Sequence, residues 1–271
     1  MKPLVLALKQ RPDQRLDMSE LIPGRLAGKS AAEIARIELQ TTRSRVTVGD
    51  MFRIRAGDPR SVRIEGECDR LDRVGEAMGT GEIVVEGNAG IHAGRLMRGG
   101  RLLINGSAGP WAASRMRGGL IEIAGSAGAR LGGPLPGEIS GMRGGVVIVR
   151  RDVGEQAGDR MRRGTILVEG GAGAYAGSRM IAGTIIIRRK AGVLPGFLMR
   201  RGTLVLADGC EQMAPTFVDC GMHDLVALRL LMAFVRPYSS RLTRVFRDPL
   251  RRLIGDMAVL GKGETFLAGV R

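Results

Sequence analysis

Met97-Arg-Gly-Gly-Arg-Leu-Leu-Ile-Asn-Gly-Ser-Ala-Gly109 and Met116-Arg-Gly-Gly-Leu-Ile-Glu-Ile-Ala-Gly-Ser-Ala-Gly128 are two copies of one pattern, and Met78-Gly-Thr-Gly-Glu-Ile-Val-Val-Glu-Gly-Asn-Ala-Gly90 is a third. Four more begin at Met142, Met161, Met180 and Met199, and every step is 19 residues except Met116 to Met142, which is 26. A fixed period decides architecture before local propensity does.

The columns of the repeat have physical meanings. A glycine stands three residues after each methionine (Gly81, Gly100, Gly119, Gly145, Gly164, Gly183, Gly202), followed by four residues that read as a strand. Two alternate columns of that strand are apolar throughout, Ile83 to Leu204 and Val85 to Leu206, and alternate positions share one face. The column between them is mostly apolar but admits Glu122, which implies that its face is half covered by another part of the chain. Ala89, Ala108, Ala127, Val153, Ala172 and Ala191 form a small column next to glycines suited to corners.

One short strand every 19 residues cannot bury itself, whereas stacked copies can. The reading is all-β: a parallel, right-handed β-helix solenoid of about eight rungs, with Val62-Arg-Ile-Glu-Gly66 as an imperfect first one. Glycine is too frequent for a helical solenoid, and no 3.6-residue apolar pattern runs inside the repeat. Three regions are expected: an N-terminal cap over 1–57, the glycine-rich β-helix over 58–207, and a C-terminal segment over 208–271 that caps the stack or docks a partner. Ser30-Ala-Ala-Glu33 is a capping box opening a short helix through about Ile37, and Val46 to Ile54 contains short strand-like pieces. Asp224 to Val235 reads as an apolar helix stopped by Pro237, with Arg241 to Ile254 continuing as a basic helical segment. The extra residues after Met116 fall in the turn-rich Gly132-Gly-Pro-Leu-Pro-Gly137.

Forty-two glycines and 3% aromatic residues follow from the repeat. No apolar run of about 18 residues offers a membrane span. Met-Lys-Pro-Leu-Val-Leu-Ala-Leu-Lys-Gln10 lacks a small-residue cleavage site, and Cys68, Cys210 and Cys220 lack metal spacing, so a reduced cytoplasmic protein is expected. The net charge is +15, and only five of the 42 basic residues are lysine. Arginine at this density suits planar pairing with carboxylate or phosphate.

A catalytic centre is hard to find. His92 and His223 lack ligand-spaced companions, no Gly-x-Ser-x-Gly or Walker pattern occurs, and the neighbouring acids Asp152 and Glu155 are explained by a corner salt bridge to a basic residue. The expectation is a chain with no catalytic residues and no metal. The candidate binding residues are Arg98, Arg117, Arg143, Arg162 and Arg200, one position after the methionines, which stacking places in one column with Arg115, Arg160 and Arg179 beside it. Arg150, Arg151, Arg188, Arg189 and Lys190 form a second basic group. Like charges at such spacing favour counter-anions, and they also discourage edge aggregation. Nucleic acid is disfavoured as that anion, because one Trp, two Tyr and six Phe leave few stacking platforms.

The repeated Met-Arg-Gly-Gly-x-Ile/Leu-x-Ile/Val-x-Gly-x-Ala-Gly resembles the GXGXG β-helix shared by the C-terminal domain of the glutamate synthase large subunit and by the C subunit of formylmethanofuran dehydrogenase. Gly28-Lys-Ser30 with Glu33-Ile34, Val48-Gly49-Asp50 followed by Phe52, and Gly255-Asp256 with Gly261-Lys-Gly-Glu264 are similar to that C subunit beyond the repeat. The resemblance implies one of two settings. One is the formyltransferase/hydrolase complex of methylotrophic bacteria, which moves a formyl group from tetrahydromethanopterin to a methanofuran-type carrier and hydrolyses it to formate in formaldehyde oxidation. The other is a molybdenum or tungsten formylmethanofuran dehydrogenase. The arginine-rich composition resembles the bacterial version. In that setting the resemblance implies a scaffold beside an amidohydrolase-like subunit, a formyltransferase subunit and a further subunit, with the chemistry on those chains. Its arginine column would then hold the glutamate-containing tail of the carrier as the only cofactor. A glutamate-synthase-like scaffold and a free-standing polyanion binder are the competing readings.

Overall fold

The computed structural model describes residues 2–41 and 43–268. The chain is mostly β, built on one large, mostly parallel sheet that does not close into a barrel. Its centre is the repeat: strands Glu82–Val85, Arg101–Ile104, Leu120–Ile123, Arg143–Val149, Arg163–Val168, Thr184–Ile187 and Arg201–Leu206 pair in sequence order, all parallel. The register is set by the sequence columns, so Ile83 lies beside Leu102, then Ile121, Val147, Ile166, Ile185 and Leu204. A second line of parallel bridges joins Ala89, Ala108, Ala127, Val153, Ala172 and Ala191 in the same order.

The methionine and glycine columns are explained by one contact. Gly119 holds φ +89°, and a Cβ there would lie 2.7 Å from the Gly100 carbonyl oxygen and 2.8 Å from the Met97 Cε. Met116 meets Gly145, Met142 meets Gly164, Met161 meets Gly183 and Met180 meets Gly202 in the same way. Each buried methionine tip therefore fills the space that the next repeat's glycine leaves open, and a flexible thioether suits that gap.

Both ends of the stack are closed by segments outside the period. Pro3–Leu8 pairs parallel with Asp58–Glu65 and antiparallel with Phe52–Arg55. At the other end Lys262–Leu267 lies parallel to Arg201–Leu206, register intact from Arg201 and Lys262 to Leu206 and Leu267. The sequence motifs outside the repeat are structural fittings. Ser30 and Glu33 form the expected capping box on helix Ala31–Ala35, and Thr47 and Asp50 form a second on Val48–Met51. Phe52, just beyond, is fully buried.

The C-terminal region departs from its expected all-helical reading. Helix Val226–Val235 is present, but the basic stretch after it is helical only from Ser240 to Phe246, and Leu250–Gly255 is a strand antiparallel to Lys262–Leu267. The physical reason is burial on both faces of the strand: Leu250 and Leu253, on opposite faces, are buried, while Arg251 and Arg252 are partly exposed and pair with Asp219 and Glu264. Neither Asp152 nor Glu155 forms an ion pair among the described residues. Asp152 instead accepts the Gly171 amide at 2.7 Å, as Asn88 accepts that of Ser107 one repeat apart.

The C-terminal helices cover the outer strand face over the later repeats, burying Ile148, Leu167, Ile186 and Val205 against Leu228, Val235, Leu242 and Val245. Val84 and Leu103, on earlier repeats, stay half-exposed. The cover is fastened at Glu169, a buried carboxylate that accepts from Arg150 Nη1 at 2.5 Å, Ser239 Oγ at 2.8 Å and Arg241 Nη1 at 2.9 Å. Arg150 also binds Glu122 and the Tyr238 carbonyl. Burial works to raise the Glu169 pKa, but the bonds from Ser239, Arg150 and Arg241 outweigh it and hold the carboxyl below its usual range.

Replacing Gly119 by valine is expected to cost about 3 kcal/mol or more, from strain at positive φ plus the clash with Gly100, read by chemical denaturation. Glu169→Gln should lower stability by about 3 kcal/mol at neutral pH, since it removes the charge from a buried ion pair. Because the folded-state pKa of Glu169 is depressed, its contribution is present above the ordinary glutamate pKa and disappears as pH falls through the folded value. Stability curves of wild type and Glu169→Gln should therefore converge toward acid pH, and parallel curves would refute this role.

Candidate functional site

The candidate site is the edge of the stack that carries the methionine-adjacent arginines. The peptide geometry builds the column: the amides of Arg98, Arg117, Arg143, Arg162 and Arg200 each donate to the carbonyl of the methionine one repeat back, at 2.7–2.8 Å. Ile181 takes the same place between Arg162 and Arg200, and its amide donates to the Met161 carbonyl. The expected column therefore exists, with one apolar break.

Its side chains have different surroundings. Arg98, Arg117, Arg162 and Arg200 are exposed and form no ion pair among the described residues. Arg143 is turned onto Ser140 Oγ through Nε and Nη2, at 3.1 and 2.9 Å. The neighbouring column, Arg115, Arg160 and Arg179, has left-handed backbone at φ 50–52° and is more tightly held. Arg115 Nη1 donates to Glu138 Oε1 at 3.0 Å and Arg160 Nη1 to the Glu138 carbonyl at 3.1 Å. Arg179 donates twice to the fully buried Asp159, at 2.8 and 2.7 Å.

The insertion after Met116 acts here. Glu138 projects onto this edge, where Oε1 accepts from Arg95 as well as Arg115 and Oε2 accepts from the Leu135 amide. Partial burial would raise its pKa, but the Leu135 amide, Arg115 and Arg95 prevail and hold it below the usual glutamate value. The insertion thus supplies a carboxylate to Arg95 and Arg115, while Arg98, Arg117, Arg162 and Arg200 stay open.

A cleft of about 400 Å³ lies in that open part, lined by Ile139, Arg160, Arg162, Arg179, Ile181, Leu198, Arg200 and Val259. Of the five column arginines, Arg162 and Arg200 meet there. Arg98, Arg117 and Arg143 lie along the same edge outside it. The cleft's far lip is held by buried Asp256, whose carboxylate accepts from the Leu198 and Ala258 amides, each at 2.9 Å. Chemically the cleft offers guanidinium groups bordered by aliphatic side chains, which suits an anionic chain bearing carboxylates.

Sequence reasoning missed Glu138, Asp159 and Asp256, isolated acids in a basic chain. For Asp159 the column gave little signal, since the position two residues before each methionine also holds Glu76, Arg95, Ser114, Ser140, Ser178 and Phe197. The second basic group is divided: Arg150 is part of the Glu169 anchor and Arg188 Nε donates to the Glu169 carbonyl, while Arg151, Arg189 and Lys190 are exposed. His92 packs on Trp111 with ring centroids 5.8 Å apart, and burial lowers its pKa. His223 Nε2 lies 3.1 Å from the Cys220 carbonyl. No helix among the described residues is long and apolar enough to cross a membrane.

Comparison with known proteins places this geometry. No protein-family model matches the chain. The C subunit of the formyltransferase/hydrolase complex Fhc of Methylorubrum extorquens is 47% identical over 262 residues, covering 97% of this chain and 98% of that one. The chain belongs to the family of that C subunit. A chain in the crystal structure of the formyltransferase/hydrolase complex FhcABCD from Methylorubrum extorquens, determined with methylofuran, matches it with TM-score 0.94 and 41% identity, over 98% of this chain and 99% of that chain. The C subunit of the molybdenum-containing formylmethanofuran dehydrogenase 1 of Methanosarcina barkeri is similar over a shorter stretch, 33% identical across 34% of this chain and 32% of that one. The relation to this family is thus full-length with the bacterial protein and partial with the archaeal one.

Arg179→Met is expected to destabilise the chain by about 3 kcal/mol, because buried Asp159 loses its bidentate partner. Arg162→Met, whose guanidinium serves no carboxylate, should cost under about 0.5 kcal/mol. Thermal denaturation of both variants checks the contrast, and equal losses would contradict the division of the two columns.

Proposed function

We propose that this chain is a non-catalytic scaffold subunit of a cytoplasmic formyltransferase/hydrolase complex. That complex would pass formyl from formyl-tetrahydromethanopterin to a methanofuran-type carrier and hydrolyse it to formate in one-carbon metabolism. The carrying observation is the 47% identity over almost the full length of both chains. Amidohydrolase-like and formyltransferase subunits would hold the reacting groups. The polar groups of this chain support that division, since its buried carboxylates are occupied by arginines and amides.

The scaffold is read as a right-handed parallel β-helix of about eight rungs, with 1–57 as N-terminal cap, 58–207 as the repeat and 208–271 as C-terminal cap. The in-register strands and the separate line of alanine bridges support this reading.

Arg98, Arg117, Arg143, Arg162 and Arg200 are read as the binding edge for the glutamate-bearing tail of the carrier. The formyl-bearing head lies with the other subunits, while residues of this chain bind only carboxylates. The fit rests on the open guanidinium groups of Arg162 and Arg200 in the aliphatic-sided cleft, continued by Arg98 and Arg117. A tail held there would keep the head at an effective concentration on the order of millimolar for two active sites. A dehydrogenase setting is the second reading, motivated by the archaeal relatives, which match only about a third of the chain.

Affinity purification from the native cell is expected to recover formyltransferase and amidohydrolase subunits with a glutamate-rich furan cofactor. Molybdopterin and iron–sulfur subunits would replace this reading with the dehydrogenase, and a solitary chain carrying nucleic acid would overturn both. In the assembled complex, joint charge reversal at Arg98, Arg117 and Arg143, or at Arg162 and Arg200, should lower carrier retention about tenfold at low salt and less at high salt. Unchanged retention in both variants sinks the binding edge.

A further inference from the structure

Helix Val226–Val235 reads Val-Ala-Leu-Arg-Leu-Leu-Met-Ala-Phe-Val, with one charged residue in ten. One face, Leu228 and Val235, is buried on the outer face of the sheet. The opposite face carries Val226, Leu230 and Phe234, spaced one helical turn apart and 69%, 67% and 43% exposed. A helix that is apolar on both sides belongs in an interior.

The strand directly before it in sequence is also exposed and apolar in part. Val218–His223 is the last strand of the sheet, paired on one side with Leu250–Gly255, with Val218 and Met222 exposed. Its other side presents amides and carbonyls with no ladder partner. Apolar side chains can be covered by protein or lipid, but a strand edge is satisfied by another polypeptide.

Charge decides which polypeptide. Arg236, Arg244 and Arg247, at and beyond the helix end, are exposed and form no ion pair among the described residues. A second copy would bring the same excess of unpaired arginine to this surface rather than the carboxylates that would complement it. We propose that strand Val218–His223 and the outer face of helix Val226–Val235 form the docking face for a different subunit, one presenting an apolar surface with a carboxylate rim. This rests on the reading of the chain as part of a heteromeric complex. The cleft arginines take no part in it.

The test uses the complex purified through a tag on this chain, comparing wild type with the double variant Leu230→Glu and Phe234→Glu. Leu230 is exposed and Phe234 partly so, its ring 5.5 Å from that of Tyr238, so the variant should keep the wild-type circular dichroism and melt only slightly below wild type. Its recovery of at least one co-purifying subunit should fall about tenfold or more. A photo-crosslinking residue at position 230 should join to that same subunit, through a peptide rich in apolar and acidic residues. Full recovery by a folded variant overturns the docking face even where wild type brings down its partners. A crosslink to a second copy of this chain overturns it as well, and so does loss of binding to anionic phospholipid vesicles with no loss of subunits. If the variant fails to fold, the crosslink in the otherwise wild-type chain still decides. A wild-type chain that recovers no partner refutes the heteromeric reading itself, which separates the two failures.

Discussion

The structure depends on a methionine tip lying against the glycine of the next repeat. The glycine must lack a side chain because the preceding carbonyl and the thioether already occupy that space, as at Gly119 between Gly100 and Met97. The methionine must be long and unbranched to reach there. Neither column works without the other, so they recur together with constant separation. The contact also helps to fix vertical register, since a repeat slipped by one residue toward its strand would set a methionine against a Cβ-bearing residue. Register keeps the inner columns from Ile83 to Leu204 aligned without a polar interruption.

Once register is fixed, surface residues are multiplied along with the core. An arginine beside one methionine becomes a line of arginines, and a like-charged line is unfavourable unless countered. The chain counters it unevenly. Glu138, carried in by the insertion, binds Arg95 and Arg115, and Asp159 takes Arg179. Arg162 and Arg200 stay open in the cleft beyond the insertion. The line before the methionines thus gains carboxylate partners at Arg115 and Arg179, while Arg98, Arg117, Arg162 and Arg200 in the line after them gain none.

The C-terminal segment wraps back over the outer strand face and contributes a strand to the end of the same sheet. Its hold combines apolar burial with one carboxylate, Glu169, that gathers Arg150, Ser239 and Arg241 from two parts of the chain. This covers later repeats on one side and turns an equally apolar helix face to the outside. Part of the sheet's hydrophobic demand is passed outward rather than ended.

The stack of in-register strands, the buried methionine, aliphatic and alanine columns, the capping box at Ser30 and the arginine column were legible in the amino-acid sequence alone. Each depends on identity repeated at constant spacing, and stacking converts that spacing directly into contact. What only the tertiary structure decided involves residues that occur once: Glu138 reaching Arg95, Asp256 holding Leu198, Glu169 gathering the C-terminal segment, and Leu250–Gly255 as a strand where basic residues suggested a helix. A single acid has no column to announce it. Its partner is chosen by how the chain folds back across tens of residues, which local pattern does not encode.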